Sequence, residues 1–202
     1  MDILSTVAPV TLQATPSRRR DFKDALGSAV TAATKGIFTH DVEVTLIWFI
    51  EEARRYQTHL VADLDNVLKP ILDAVTGPEA LLIDDNQIQS IKASWMTPGL
   101  HGAGFQLTFA ALMREEYVSR QGLAFVEFSA DRCYMLPGGL GEHAARFVAS
   151  YRRMVGAYQD MLAAGIHEEV AQSVLPIARP FPRARLGRFP VRHHSEFAEP
   201  LA

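Results

Sequence analysis

Residues 42–50 read VEVTLIWFI, a run of β-branched and aromatic side chains that predicts a strand. Working outward, VAPVTLQA (7–14) predicts an earlier strand, and TPSRRRDFKDAL leaves it through a turn at Thr15 or Ser17. Apolar Phe22, Ala25, Leu26, Ala29 and Ala33 then recur at helical spacing between Asp21 and Lys35. Downstream, residues 66–75 predict a second helix that Gly77-Pro78 stops. QIQSIKASWM (87–96) and FQLTFAALM (105–113) predict two more strands joined by the glycine-rich PGLHGAG. The order β-α-β-α-β-β implies an α+β domain, a small mixed sheet with two helices on one face.

Of the 202 residues, 48% are hydrophobic and 21% are charged, values that exclude a disordered chain. No apolar run approaches the ~18–20 residues of a membrane span, and MDILSTVAPV lacks the basic and apolar regions of a leader. Cys133 is the single cysteine, which excludes an internal disulfide and points to a reducing compartment, so a cytoplasmic protein is expected. With no His or Asp pattern around it, this thiol reads as part-buried and structural. His59 reads as a surface residue at a strand end. Charge is placed unevenly. Residues 1–113 carry 9 Lys and Arg against 13 Asp and Glu, whereas 114–202 carry 11 against 10, and every lysine (Lys23, Lys35, Lys69, Lys92) lies in the first segment. The chain changes character near residue 114.

The first segment gathers its acid around one lysine. DLDNVLKPILD (63–73) and IDDNQI (83–88) set Asp63, Asp65, Asp84 and Asp85 about Lys69. Carboxylates repel, so such a cluster needs a divalent metal, a shared proton or plain exposure to water. Asp65 is placed to cap a helix that begins at Asn66, at the positive end of its dipole. Asp63, in extended chain two residues earlier, then points to the same side. Lys69 lies one turn into the helix, and Pro70 sits at the edge of the first turn, where a missing N–H costs little. A neighbouring strand end brings Asp85 opposite the pair. Three converging carboxylates suit Mg²⁺ or Mn²⁺, and a lysine suits a phosphate. Metal-held water attacking a phosphodiester is the matching chemistry. A simple helix cap at Asp65 and a turn at Asp84-Asp85 meet the same spacing.

DLDNVLKPILDAVTG with LIDDNQI resembles the signature of the RusA-type Holliday junction resolvases, D-x-D-N-x-x-K-x-x-x-D-A-L followed by D-D-x-Q. The resemblance spans about residues 5–113 and takes in an early strand, a P-S-x-x-R loop and a helix before the motif. It implies a homodimeric, Mg²⁺-dependent endonuclease (Mn²⁺ being an alternative) that nicks four-way DNA junctions. By resemblance Asp63, Asp65 and Asp85 become metal-binding catalytic carboxylates and Lys69 the catalytic lysine. Asn66, Asp73, Asp84 and Gln87 become supporting positions. For Asp73, an ion pair with Lys69 or a solvent-facing helix position is the preferred reading over a metal role. The family often carries a dense basic run before the first aspartate, where this chain has EEARRYQTHLVA. The candidates for phosphate contact are then Arg18, Arg19, Arg20 and Lys23 on the loop entering the first helix, with Arg54 and Arg55, and a solvated loop is the alternative reading of Arg18, Arg19 and Arg20.

Beyond residue 114, Glu142–Ala164 predicts an amphipathic helix, with Phe147, Tyr151, Met154, Tyr158, Met161 and Leu162 on one stripe. HEEVAQSVL (167–175) predicts a short helix ended by Pro176, and residues 177–202, rich in Pro and Arg, predict a disordered tail. The expected organisation is thus 1–113, a mostly helical extension over 114–176, and the tail. AYQDMLAAGIHEEVAQSVLP (157–176) resembles the Y-x-x-L-x-x-x-G-x-x-x-E-x-A-R-x-V-L-P of flavin-dependent thymidylate synthases of the ThyX type, with Gln172 in place of the arginine. EFSADRCY (127–134) is similar to that family's E-x-S-x-R-Y strip with one residue too many, and the family's R-H-R is absent. That resemblance implies a remnant in which Glu127, Ser129 and Arg132 face a nucleotide. A nucleotide-binding flavoprotein and a non-catalytic DNA-binding module are the alternatives to the nuclease.

Overall fold

The computed structural model describes residues 1–57, 63–111 and 117–197. The chain forms two compact units, Met1–Val118 and Ser119–Ala202, and its architecture is α+β.

In the first unit the expected strand at 42–50 is β3 (Val42–Phe49), and it is central. Its even positions, Val42, Val44, Leu46 and Trp48, are buried, while Glu43, Thr45 and Ile47 face the other side. That alternation is what a sheet covered on one face requires. β1 (Asp2–Ser5), β4 (Ile88–Met96) and β5 (Gly104–Ala111) complete a sheet of order β1-β5-β3-β4. β5 pairs antiparallel with both β1 and β3, whereas β3 and β4 run parallel. So β4 and β5, adjacent in sequence, do not pair. A parallel pair needs a crossover, and here it carries α2 (Glu52–Gln57) and α3 (Leu64–Ala74).

Helix α1 (Pro16–Ala33) opens at Thr15, whose side chain accepts from the Arg18 N–H, and carries proline in its first turn. It buries Phe22, Leu26 and Val30, and α3 buries Val67, Ile71 and Leu72, in one core with the even positions of β3. A short strand β2 (Gly36–Phe38) follows α1. Strand β6 (Tyr117–Ser119) begins with Tyr117, whose ring packs 4.7 Å from Phe38 and whose hydroxyl meets Thr34. A Cβ at Gly36 would run into that ring, so only glycine fits there.

Two expectations change. The early strand lies at Asp2–Ser5, and 7–14 holds none. Pro9 removes a ladder donor, and the segment turns off the sheet toward α3, where the Leu12 N–H donates to the Asn66 carbonyl at 3.0 Å. Helix α3 begins at Leu64 rather than Asn66, which places Pro70 inside it. An interior proline cannot donate to the carbonyl four residues back, and that carbonyl is Asn66's. Leu12 takes the acceptor that Pro70 leaves open.

The second unit holds a hairpin, β7 (Ala124–Ser129) and β8 (Arg132–Leu136), turned through Ala130-Asp131, with α4 (Ala144–Ala163) and α5 (Glu168–Ala171) following. The extension is therefore a mixed sheet-and-helix unit, not mostly helical. The expected tail is also ordered as far as 197. Phe181 exchanges two 2.9 Å backbone hydrogen bonds with Cys133, and β9 (Val191–His193) runs parallel to β7. Phe181, Leu186, Phe189 and Phe197 are buried. Prolines fix extended chain and remove donors, so this segment shows no period while its aromatic anchors still bury. The 113/114 boundary, His59 and the last residues of the strand expected at 105–113 lie outside the described residues. No described helix is long and apolar enough to cross a membrane.

Candidate functional site

The site is built on α3 and the turn before β4. Asp63, in extended conformation, is the N-cap of α3, and Asp65 lies in its first turn. This reverses the expected roles. With Asp63 at the cap and Asp65 inside the first turn, the extended-chain spacing expected to align the two no longer applies. Positions 65, 69 and 73 instead form a row at i, i+4 spacing. Lys69 is the middle of that row. Its ammonium donates to Asp73 Oδ1 at 2.5 Å and to Asp85 Oδ2 at 2.7 Å. Asp73 and then Asp85 hold its pKa above the ordinary lysine value, against a smaller opposing effect of burial. It is a fixed cation, not a base.

Asp85 is held from behind. Asp84 caps the short turn Asp85–Gln87 in a capping box with Gln87, satisfying donors reciprocally. The Gln87 side chain is fully buried. Its Oε1 accepts from the Ile83 and Asp84 N–H groups at 2.7 and 3.0 Å, and its Nε2 donates to the Phe38 and His40 carbonyls at 2.9 Å each. One amide thus ties the turn to the end of β2 and sets Asp85 against Lys69. Asn66 is supported from the 7–14 segment, accepting from Gln13 Nε2 at 2.9 Å.

The structure brings Asp85, Lys69 and Asp73 together. It does not bring Asp63, Asp65 and Asp85 into a cluster, and no group of three or more Asp, Glu, His or Cys among the described residues is arranged to hold a metal. Their chemistry still fits Mg²⁺, because they are hard oxygen donors. That ion is commonly held by one or two carboxylates together with substrate phosphates and its own waters. Arg18, Arg19, Arg20 and Lys23 lie in the first two turns of α1, on the helix and not on a loop before it, and all are exposed. Arg54 and Arg55 are exposed on α2. The Arg55 guanidinium lies 5.0 Å from the Tyr56 ring and 5.3 Å from the Trp95 ring, a contact that sequence spacing does not reveal.

In the second unit, Glu127 faces Arg183 at 3.7 Å, Arg132 lies 4.2 Å over the Tyr158 ring, and Ser129 sits opposite Arg132 in the hairpin. The Cys133 thiol is buried and its pKa is pushed up to about 11, chiefly by desolvation, as a structural thiol requires.

Residues 8–101 match the family model of endodeoxyribonuclease RusA. The match lies wholly within the first unit and takes in Asp63, Asp65, Lys69, Asp73 and Asp85. This stretch is thus similar to the RusA endodeoxyribonucleases. Nothing supports the ThyX resemblance of the second unit. No curated protein matches the chain.

Proposed function

We propose that the Met1–Val118 unit is a divalent-metal-dependent endonuclease that nicks branched DNA at four-way junctions, working as a homodimer in the cytoplasm. The observation that carries this reading is the Lys69–Asp85 contact within the stretch that matches RusA. Asp85, Asp65 and Asp63 are the carboxylates available to Mg²⁺, of which one or two would hold it together with substrate phosphates and its own waters, with Mn²⁺ as a substitute. When bound, the ion supplies Lewis-acid stabilisation of the phosphate and lowers the pKa of its water. Lys69 presents an ammonium whose donors are aimed by two carboxylates, ready to meet a non-bridging oxygen as charge develops on the scissile phosphate. Asp73 keeps it charged and oriented. Gln87 keeps Asp85 in place.

DNA binding falls to Arg18, Arg19, Arg20, Lys23, Arg54 and Arg55, which neutralise phosphates and release counterions. The whole chain carries a net charge of −3, so these few cations must concentrate the attraction locally, and affinity should fall steeply with salt. A four-way junction is cut at two symmetric positions, which a pair of copies about a two-fold axis presents naturally.

The test is nicking of a synthetic four-way junction, with and without Mg²⁺, by wild type and Asp65→Asn. Nicking should need the metal and vanish in the variant, while junction binding stays equal or tightens because a repulsive charge is gone. Wild-type nicking rates in Asp65→Asn, or rates indifferent to chelator, would overturn the metal assignment.

A further inference from the structure

The end of β4 away from Asp85 carries a second, largely aromatic cluster. Trp95 stacks on Trp48 at 4.7 Å with 19° between ring planes, and Arg55 from α2 reaches over both Trp95 and Tyr56. Tyr56 is 66% exposed and Met96 51%. Arg55, Tyr56, Trp95 and Met96, together with Glu52 and Thr97, line an open cleft of about 140 Å³. That volume is well under the roughly 300–1,000 Å³ of a site for a whole small molecule. It suits a single ring system.

We infer that the Arg55–Tyr56–Trp95 cleft is a stacking platform for an unpaired DNA base, an inference that rests on the nuclease reading. Flat aromatic faces and a guanidinium plane are the surfaces on which bases stack without regard to sequence. Glu52 within the cleft repels a phosphate, so the occupant is the neutral ring and not the backbone. Its carboxylate can accept from an exocyclic amine. Arg54 and Arg55 then meet the phosphates that flank that base. Within a duplex no ring face is free, so the platform selects strands that are open, including any base unpaired at a branch point.

Position gives the platform a distinct role. Asp85 precedes β4 and Trp95 lies near its end, and at about 3.3 Å per residue the strand from Ile88 to Met96 is roughly 26 Å long. The base held here is therefore several nucleotides from the phosphate at Lys69. A platform at that distance senses whether the strand is separated, and leaves the cleavage site free.

The experiment is a metal-free binding comparison of the full-length protein on a short oligothymidine and on a duplex of the same length, by fluorescence anisotropy. Tyr56→Ala and Trp95→Ala should each weaken single-strand binding about tenfold, within the range for loss of one base–aromatic stack, and change duplex binding less than about twofold. Arg55→Lys, which keeps charge but loses the planar face, should also weaken single-strand binding more than duplex binding. Trp95 is partly buried against the core, so exposed Tyr56 decides the matter if Trp95→Ala misfolds. Equal losses on both DNAs, or no loss in Tyr56→Ala, overturn the platform. A wild type that prefers single strands yet never nicks junctions leaves the platform standing and removes the nuclease reading instead.

Discussion

Lys69 Nζ lies 2.7 Å from Asp85 Oδ2, across a sequence separation of 16. Its second partner, Asp73, is one helical turn away and would be reached in any helix. The Asp85 contact is different in kind, because only the folded crossover brings α3 to the turn before β4. An ammonium so placed is oriented before any substrate arrives, which is the condition for electrostatic catalysis without reorganisation.

Replacing Lys69 separates catalysis from binding. Lys69→Ala should lower single-turnover junction cleavage by roughly 10²–10³, as for loss of one preorganised donor, with little loss of junction affinity. Arginine should rescue poorly, since a planar fork does not fill the place of a compact ammonium. Cleavage by Lys69→Ala within a few-fold of wild type at saturating protein would reduce Lys69 to a surface ion-pair residue.

The raised Lys69 pKa fixes the sign of a pH effect on stability. A group whose folded pKa exceeds its unfolded value stabilises fully below the unfolded value and loses that contribution as pH rises through the folded one. The urea midpoint of wild type should therefore exceed that of Lys69→Met by a constant margin from neutral pH to near 10, and the margin should shrink above 10.5, the ordinary lysine value. Lys69 and Asp73 are each about half exposed, so the margin is under ~1 kcal/mol. A margin that grows with alkaline pH would contradict the pairing.

Gln87 gives the largest predicted stability loss of any site residue. Gln87→Ala strands two buried N–H groups and two carbonyls, and each uncompensated polar group costs about 1–3 kcal/mol. A loss of at least about 2 kcal/mol in urea denaturation is expected, together with slower cleavage as Asp85 loosens from Lys69. Gln87→Glu should not restore it, because a carboxylate cannot donate to the Phe38 and His40 carbonyls. A fully stable Gln87→Ala would mean that the turn is held by other contacts.

Much of this was legible locally. The composition of β3, the apolar spacing of α1, the stop at Gly77 and the Lys69–Asp73 pair all depend on near neighbours, and sequence reasoning reaches them. The direction of the carboxylates was not legible, because it depends on where α3 begins. Local chemistry prefers Pro70 in a first turn, which starts the helix at 66 and aims Asp63 with Asp65. The contact from Leu12, far off in sequence, supplies the Asn66 carbonyl with its donor and lets the helix begin two residues earlier. The ordered 177–197 segment was hidden for a related reason. Its aromatic anchors follow no period, and their partners, such as Cys133 for Phe181, lie more than forty residues away.

The last prediction concerns where the nuclease unit ends. A boundary at residue 113 removes Tyr117, yet Tyr117 packs on Phe38, meets Thr34, and occupies the space that glycine at 36 leaves open. It belongs to the first core, where Phe38 is buried among Phe109 and the α1 residues. A chain ending at Ser119 should therefore fold by itself and match junction nicking by the full-length protein. A chain ending at Ala111 should lose stability by about 3–5 kcal/mol, the cost of removing a large aromatic from a core. For a domain whose total stability is typically 5–15 kcal/mol, that loss separates a folded preparation from a marginal one. Urea midpoints of the two truncations decide it. If they coincide, Tyr117 only lies against the surface. If both chains are unfolded, the first unit depends on the second, and the division of the chain into independent units fails.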